Sequence, residues 1–148
     1  MPSLNHIGIT VSDIAQTAGF LSLLGFEPRD PDQVVAKDSW IRTMTGYAKA
    51  DLRIAMVHLG DTAIELVSYV SPEGEPKATT ELRDVGNTHI AVTVKDIDAE
   101  YRRLRDAGIE FISAPIRVPD GPLEGARGVY LTDPDGNLIE LSQETRAD

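Results

Sequence analysis

The chain repeats itself, and few features narrow the choice of fold as much. Leu4-Asn5-His6-Ile7-Gly8-Ile9-Thr10-Val11 is echoed by Asn87-Thr88-His89-Ile90-Ala91-Val92-Thr93-Val94, and Ala63-Ile64-Glu65-Leu66 by Leu138-Ile139-Glu140-Leu141. From position 6 to position 89 the offset is 83, and no gap interrupts it through Asp13/Asp96, Leu21/Leu104 and Gly25/Gly108. From position 65 to position 140 it is 75, so the second copy is 8 residues shorter between its helix and its last hairpin. A half of about 70 residues is marginal alone, so the halves are expected to pack together or against a second copy.

Each copy opens with alternating apolar residues, Ile7, Ile9 and Val11 or Ile90, Val92 and Val94, as a half-buried strand requires. Ser12 or Asp13, and Asp96, are suited to cap the helices that follow, whose apolar faces are Ile14, Ala18, Leu21 and Ile97, Tyr101, Leu104. Gly25 and Gly108 end those helices in a left-handed conformation. In copy one, residues 33–37 read as a weak strand, and 52–59 with 62–70 as a hairpin turning at Gly60-Asp61. In copy two, Phe111-Ile112 begins a short strand, and 129–132 with 138–143 form a hairpin around Asp133-Pro134-Asp135-Gly136-Asn137. Residues 30–51, holding Trp40, Met44 and Tyr47, read as a long irregular connection, as do 115–128; 71–86 is the junction between halves. The predicted class is α+β: two tandem βαβββ modules, about 4–70 and 87–144, in a single domain of residues 1–148. They are expected to form a curved, partly closed mixed sheet with helices on its outer face.

Composition excludes several functions. A net charge of −10 argues against nucleic acid and acidic membrane surfaces as partners. With no cysteine there are no disulfides, thiolate ligands or cysteine nucleophiles. The first residues lack the basic and apolar runs of a signal peptide, and no apolar stretch reaches the roughly 18 residues that span a bilayer. A cytoplasmic location is the expectation.

Strand parity then singles out four residues. The Ile/Val face of each first strand must lie under the helix, which puts His6 and His89 on the other face, beside Gly8 and Ala91. By the same parity Ile64, Leu66, Ile139 and Leu141 face the helices, while Glu65 and Glu140 face the cavity. Alone, a strand histidine or glutamate is ordinary. Two of the chain's three histidines and two in-strand glutamates at equivalent repeat positions are not. A pseudo-twofold would direct two imidazoles and two carboxylates at one point, an N₂O₂ set suited to a divalent cation. His58 falls on the Glu65 face if Gly60-Asp61 is a two-residue turn, in which case Met56 pairs with Glu65. Asp133 and Asp135 read as turn formers.

On His6 through Phe26, His89 through Ile97 and Asp133 through Leu141, the chain resembles the vicinal oxygen chelate superfamily: glyoxalase I, methylmalonyl-CoA epimerase, fosfomycin and bleomycin resistance proteins, and extradiol dioxygenases. The resemblance covers essentially the whole chain. It implies paired βαβββ modules, one divalent metal per site (Zn, Ni, Co, Mn or Fe) held by His6, Glu65, His89 and Glu140, and a homodimer. The His-Glu-His-Glu order looks like glyoxalase I. An aromatic content of 5% suits ligand stacking in the bleomycin-binding manner poorly. Thr10-Val11 and Ser68-Tyr69-Val70-Ser71-Pro72 stand where bacterial glyoxalase I has glutathione-binding features, and Asp133-Pro134-Asp135 replaces the epimerase's His-Pro-Lys turn.

The expectation is therefore a metal-dependent isomerase or lyase of the glyoxalase I-like type. It would act on a small substrate with vicinal oxygens through a metal-bound enediolate, with Glu140 or Glu65 as general base. The alternatives are an Fe(II)- or Mn(II)-dependent dioxygenase, an epimerase of the methylmalonyl-CoA type, and a non-enzymatic ligand-binding or resistance protein. His58, Trp40, Met56 and Arg127 are candidate substrate contacts; Arg42, Arg53 and Lys37, with Arg127, are candidates for an anionic tail.

Overall fold

The duplication appears in the computed structural model as two units, residues 1–78 and 79–148; the structure describes residues 1–29, 33–76 and 81–145. In unit 1 the elements are β1 (Ile7–Thr10), α1 (Ile14–Leu23), β2 (Glu27–Pro28), β3 (Val34–Ala36), α2 (Ser39–Thr45), β4 (Asp51–Leu59) and β5 (Thr62–Ser71). Unit 2 holds β6 (His89–Thr93), α3 (Ile97–Asp106), β7 (Ile116–Arg117), β8 (Arg127–Thr132) and β9 (Leu138–Gln143). The class is α+β as expected, with one mixed sheet in each unit, and neither sheet closes into a barrel. Strand order is β1-β5-β4-β2 in the first, with β3 also on β4, and β6-β9-β8-β7 in the second. β1–β5 and β6–β9 are the parallel pairs, and every other pairing is antiparallel.

The local rules hold at both helices. Asp13 accepts from the Gln16 N–H, and Asp96 from the Ala99 N–H, each at 3.0 Å, satisfying one orphan donor of the first turn. Beyond the helices, Gly25 and Gly108 take φ of 91° and 87°, where a side chain would be strained. α1 lies against β4 and β5, α3 against β9. The core of unit 1 is Ile14, Phe20, Leu21, Val57, Ile64 and Leu66; that of unit 2 is Ile97, Leu104, Leu131, Ile139 and Leu141. Each such side chain taken from water contributes about 1.5–3 kcal/mol.

Several details differ from expectation. Residues 39–45 of the supposed irregular connection are helix α2. Gly46 closes it, and Ile41 enters a small core with Ala36, Ala50 and Leu52, against Ile54, Val67 and Tyr69. Residues 30–32 of that connection, and 77–80 of the junction, lie outside the described residues. Phe111 makes only a single bridge, to Leu131, because the chain bends away at Ser113. The strand of this region is β7, inside the other segment read as irregular, and β8 correspondingly starts at Arg127 to pair with it. His6 stands one residue ahead of β1, since pairing with β5 begins at Ile7. β1 is also an edge strand, so Ile7 stays 38% exposed and burial of that face is taken up by Val11.

Candidate functional site

Ile64 and Leu66, fully buried, turn toward α1, so Glu65 between them must point to the opposite face of its sheet. On that face it is flanked by Met56 of β4 and Gly8 of β1. A Cβ at position 8 would sit 3.6 Å from Glu65 Oε2, so the glycine keeps this side of the carboxylate open. His6 Nε2 lies 3.5 Å from the same oxygen. The other ring nitrogen, Nδ1, is 2.6 Å from Asn5 Oδ1. A carboxamide oxygen only accepts, so Nδ1 is the donor, and in the neutral ring the lone pair is on Nε2, facing Glu65. Two electron-rich atoms so placed suit a cation between them.

Unit 2 repeats the arrangement with different support. Ile139 and Leu141 are buried, Glu140 faces away from them, and His89 Nε2 is 3.1 Å from Glu140 Oε2. Opposite Glu140 on β8 stands Tyr130, where unit 1 has Met56 opposite Glu65. The Tyr130 ring meets His89 edge-on, with centroids 5.6 Å apart. Burial first, then the charge of Glu140 and a hydrogen bond to it, raise the pKa of the Tyr130 hydroxyl, so it stays a donor. A Cβ at Gly128 would come within 3.4 Å of Glu140 Oε1, closer than at Gly8. Sequence reasoning passed over Tyr130, although counting back across the Asp133–Asn137 turn places it opposite Glu140.

The remaining candidates fall in three situations. His58 is paired with Ala63 and Glu27, on the same face as Met56 and Glu65, and its Nε2 is buried without a hydrogen-bond partner. Trp40, 53% exposed, sits on α2. Through Ile41, this helix packs on the Glu65 face of the sheet near Val67, one like-facing position along β5. Arg127 is committed elsewhere: its two terminal nitrogens bond both Asp98 oxygens at 2.5 and 2.8 Å. That bidentate bond holds the Asp98 carboxyl below its ordinary value, against a smaller opposing effect of desolvation. Arg53, in the equivalent register position, pairs with Asp51 at 2.5 Å. Asp133 is a turn former as expected, accepting from the Asp135 and Asn137 N–H groups at 2.9 and 2.7 Å.

Within either unit, among the described residues, no third His, Asp or Glu joins the pair to make a three-donor group. Each unit supplies one imidazole nitrogen and one carboxylate, both partly exposed and already turned toward each other. Such donors suit a divalent cation of borderline or hard character, and the Asn5–His6 contact is the kind of support that metal-binding imidazoles receive. No helix among the described residues is long and apolar enough to cross a membrane.

Comparison with known proteins places these features. Residues 3–141 match the model of the glyoxalase/bleomycin resistance protein/dioxygenase superfamily. A 2-epi-5-epi-valiolone epimerase from Actinomyces sp is 33% identical over 143 residues, spanning 94% of this chain and 78% of that protein. The crystal structure of a glyoxalase family protein from Bacillus cereus superposes with a TM-score of 0.83 at 23% identity, over 97% of this chain and 95% of the other. The fosfomycin resistance protein FosX from Listeria monocytogenes, complexed with Mn(II) and sulfate, gives 0.57 at 19% identity, over 99% and 95%.

Proposed function

The chain belongs to the glyoxalase/bleomycin resistance protein/dioxygenase superfamily, and from that premise we propose that it is a metal-dependent isomerase or epimerase. It moves a proton at a carbon beside a carbonyl of a small substrate with adjacent oxygens. One observation carries this reading: the two equivalent His–Glu pairs, His6 with Glu65 and His89 with Glu140. A single pair is half a coordination set, and His6, Glu65, His89 and Glu140 are the residues that would hold the divalent ion. When bound, that ion supplies Lewis acidity and a template for two substrate oxygens. The chain acts as a homodimer in the cytoplasm; among the described residues β1, which follows His6, and β6, which begins at His89, are edge strands of their sheets, as strands available for further pairing are.

The protein's own residues do the rest. One glutamate accepts the carbon-bound proton and returns it, to the same carbon from the other side in an epimerisation or to the neighbouring carbon in an isomerisation. Met56 and Trp40 offer apolar surface on the Glu65 face, beside His58, whose Nε2 is buried and unpartnered beneath it. Arg53 and Arg127 are both neutralised by aspartates, which favours an uncharged, oxygen-rich substrate over a glutathione or CoA conjugate. The epimerase relative supports the same choice, and the glyoxalase I-type lyase stands behind it as the second form of one chemistry. The test is incubation with 2-epi-5-epi-valiolone and with methylglyoxal–glutathione hemithioacetal in D₂O, with Mn(II), Co(II), Ni(II) or Zn(II) added. Deuterium entering beside the carbonyl, lost on chelation, is the expected result. A wild-type protein that takes up no divalent ion, or loads metal and exchanges no proton on either compound, overturns the assignment.

A further inference from the structure

One row along the sheet from Glu140, register places Thr93, Ser142, Gly128 and Ile116 side by side across β6, β9, β8 and β7. They share the face of Glu140 and Tyr130, because like-facing residues alternate along a strand, and lie roughly 7 Å from that row. The corresponding row of unit 1 is Thr10, Val67, Ile54 and Val34. There the cluster formed by Ile41 of α2 with Ala36, Ala50 and Leu52 packs on Val67 and Ile54. In unit 2 the helix lies on the other side of the sheet, where Asp98 of α3 bonds Arg127, the neighbour of Gly128. Thr93 and Ile116 are accordingly exposed, and Ser142 and Gly128 partly so. We infer that this row of unit 2 seats the part of the substrate that does not react, and that Ile116 and Ser142 select an uncharged carbon skeleton bearing hydroxyl groups. The inference rests on the proton transfer proposed above and names the substrate class of that site.

The chemistry along the row fits such a ligand. Ile116 is 54% exposed, a large apolar side chain left in water on the ligand face, and covering it with the carbon atoms of a ligand is favourable. Ser142 and Thr93 place hydroxyls beside it that donate and accept, as the hydroxyls of a substrate do. Gly128 keeps the surface between Ile116 and Glu140 low: a Cβ there would come within 3.4 Å of Glu140 Oε1 and 3.7 Å of the Leu141 carbonyl oxygen. Charge points the same way. The arginines of the described strands are Arg53, Arg117 and Arg127, and register puts all three on the side away from the glutamates. No strand holds a lysine among the described residues. An anionic tail laid along either ligand face would therefore lose its water without meeting a strand cation, a cost that a neutral hydroxylated skeleton does not incur.

Deuterium exchange into 2-epi-5-epi-valiolone, followed over a range of substrate concentrations with metal present, tests the seat. Ile116→Glu is expected to raise KM by about 10-fold with kcat little changed, since the contact it alters is made equally before and during the reaction. Ser142→Ala should raise KM by about 3-fold, the effect of one lost hydrogen bond. Ile116→Lys supplies the missing cation, so it should shift the kcat/KM ratio by about 10-fold toward the anionic methylglyoxal–glutathione hemithioacetal. Val34→Lys, at the equivalent position of unit 1, should move neither constant. Mn(II) affinity, read by chelator competition, should match wild type in all four variants, which separates the seat from the metal donors. Ile116→Glu and Ser142→Ala proteins with wild-type KM overturn the seat, as does an Ile116→Glu protein altered only in its oligomeric state. Equal effects of Val34→Lys and Ile116→Lys overturn its assignment to unit 2. Wild type that exchanges only the hemithioacetal overturns the uncharged substrate class. Wild type that exchanges neither compound removes the proton-transfer reading and the seat with it, a result distinct from a KM that does not move.

Discussion

Between its first helix and its last hairpin, unit 1 inserts two short strands and the seven-residue helix α2, whereas unit 2 spans the same interval with one backbone bridge and the two-residue strand β7. The helix-side cores are nearly interchangeable. Ile14, Leu21, Ile64 and Leu66 answer to Ile97, Leu104, Ile139 and Leu141, all at most 5% exposed. The opposite faces have diverged: unit 1 carries α2, Met56 and His58 there, and unit 2 carries Tyr130. The duplicated chain has kept the face that holds it folded and varied the opposite one.

The sharpest way to break that comparison is to truncate one core leucine in each unit. Leu66 and Leu141, 0% and 1% exposed, occupy equivalent places beside the glutamates. Leu66→Ala and Leu141→Ala are each expected to cost about 2–5 kcal/mol in urea unfolding, the range for a buried leucine whose cavity does not collapse. Costs that differ by more than the width of that range would mean the two cores are equivalent in pattern only.

Ile41 sharpens it from the other side, because its small core with Ala36, Ala50 and Leu52 belongs to unit 1 alone. Ile41→Ala should cost about 2 kcal/mol, the low end for a buried isoleucine, since a short helix can shift to fill the space. In urea unfolding the loss should stay below that of Leu66→Ala in the same unit. A loss as large as that of Leu66→Ala would show that α2 does not shift to fill the space.

What the sequence disclosed follows the same division. Strand parity and helix spacing are local rules that the helix-side core enforces, so Glu65 and Glu140 were legible as residues turned away from it. The Gly60-Asp61 turn set the Met56–Glu65 register correctly, because a two-residue turn leaves no choice of pairing. Helix α2 was missed for the opposite reason. Its seven residues bury only Ile41, too few for a periodic stripe, although Gly46 stands at its end as a left-handed stop; Asp38 holds the N-cap position without a side-chain capping bond. β7 was missed because a two-residue strand flanked by Pro115 and Pro119 shows no alternation. Tyr130 escaped notice because the residue at its equivalent position in the repeat is methionine, and a search for repeated residues cannot find what one copy has changed.

The helix caps offer a finer comparison. Asp13→Ala and Asp96→Ala each remove one side-chain acceptor from the first turn, at about 1 kcal/mol apiece. Thermal melts of the two single variants should therefore shift alike. A much larger shift for Asp96→Ala would give the second helix a heavier share of the stability.

The smallest effect expected concerns two arginines at one register position. Arg53 pairs with Asp51 on its own strand, while Arg127 reaches from β8 to Asp98 in the first turn of α3. The second pair ties a strand to a helix, and the Arg127 hydrogen bond holds the Asp98 carboxyl below its ordinary 3.8. A carboxyl depressed in the folded state contributes stability that is present above the unfolded value and is lost as pH falls through the folded one. Wild type should therefore be slightly more stable than Asp98→Asn at neutral pH, and the two should converge below about pH 3.8 as Asp98 takes up its proton. The pair is only partly buried, so added salt should narrow the gap as well. An Asp98→Asn difference that persists unchanged into strong acid would mean that the carboxylate charge is not what joins β8 to α3.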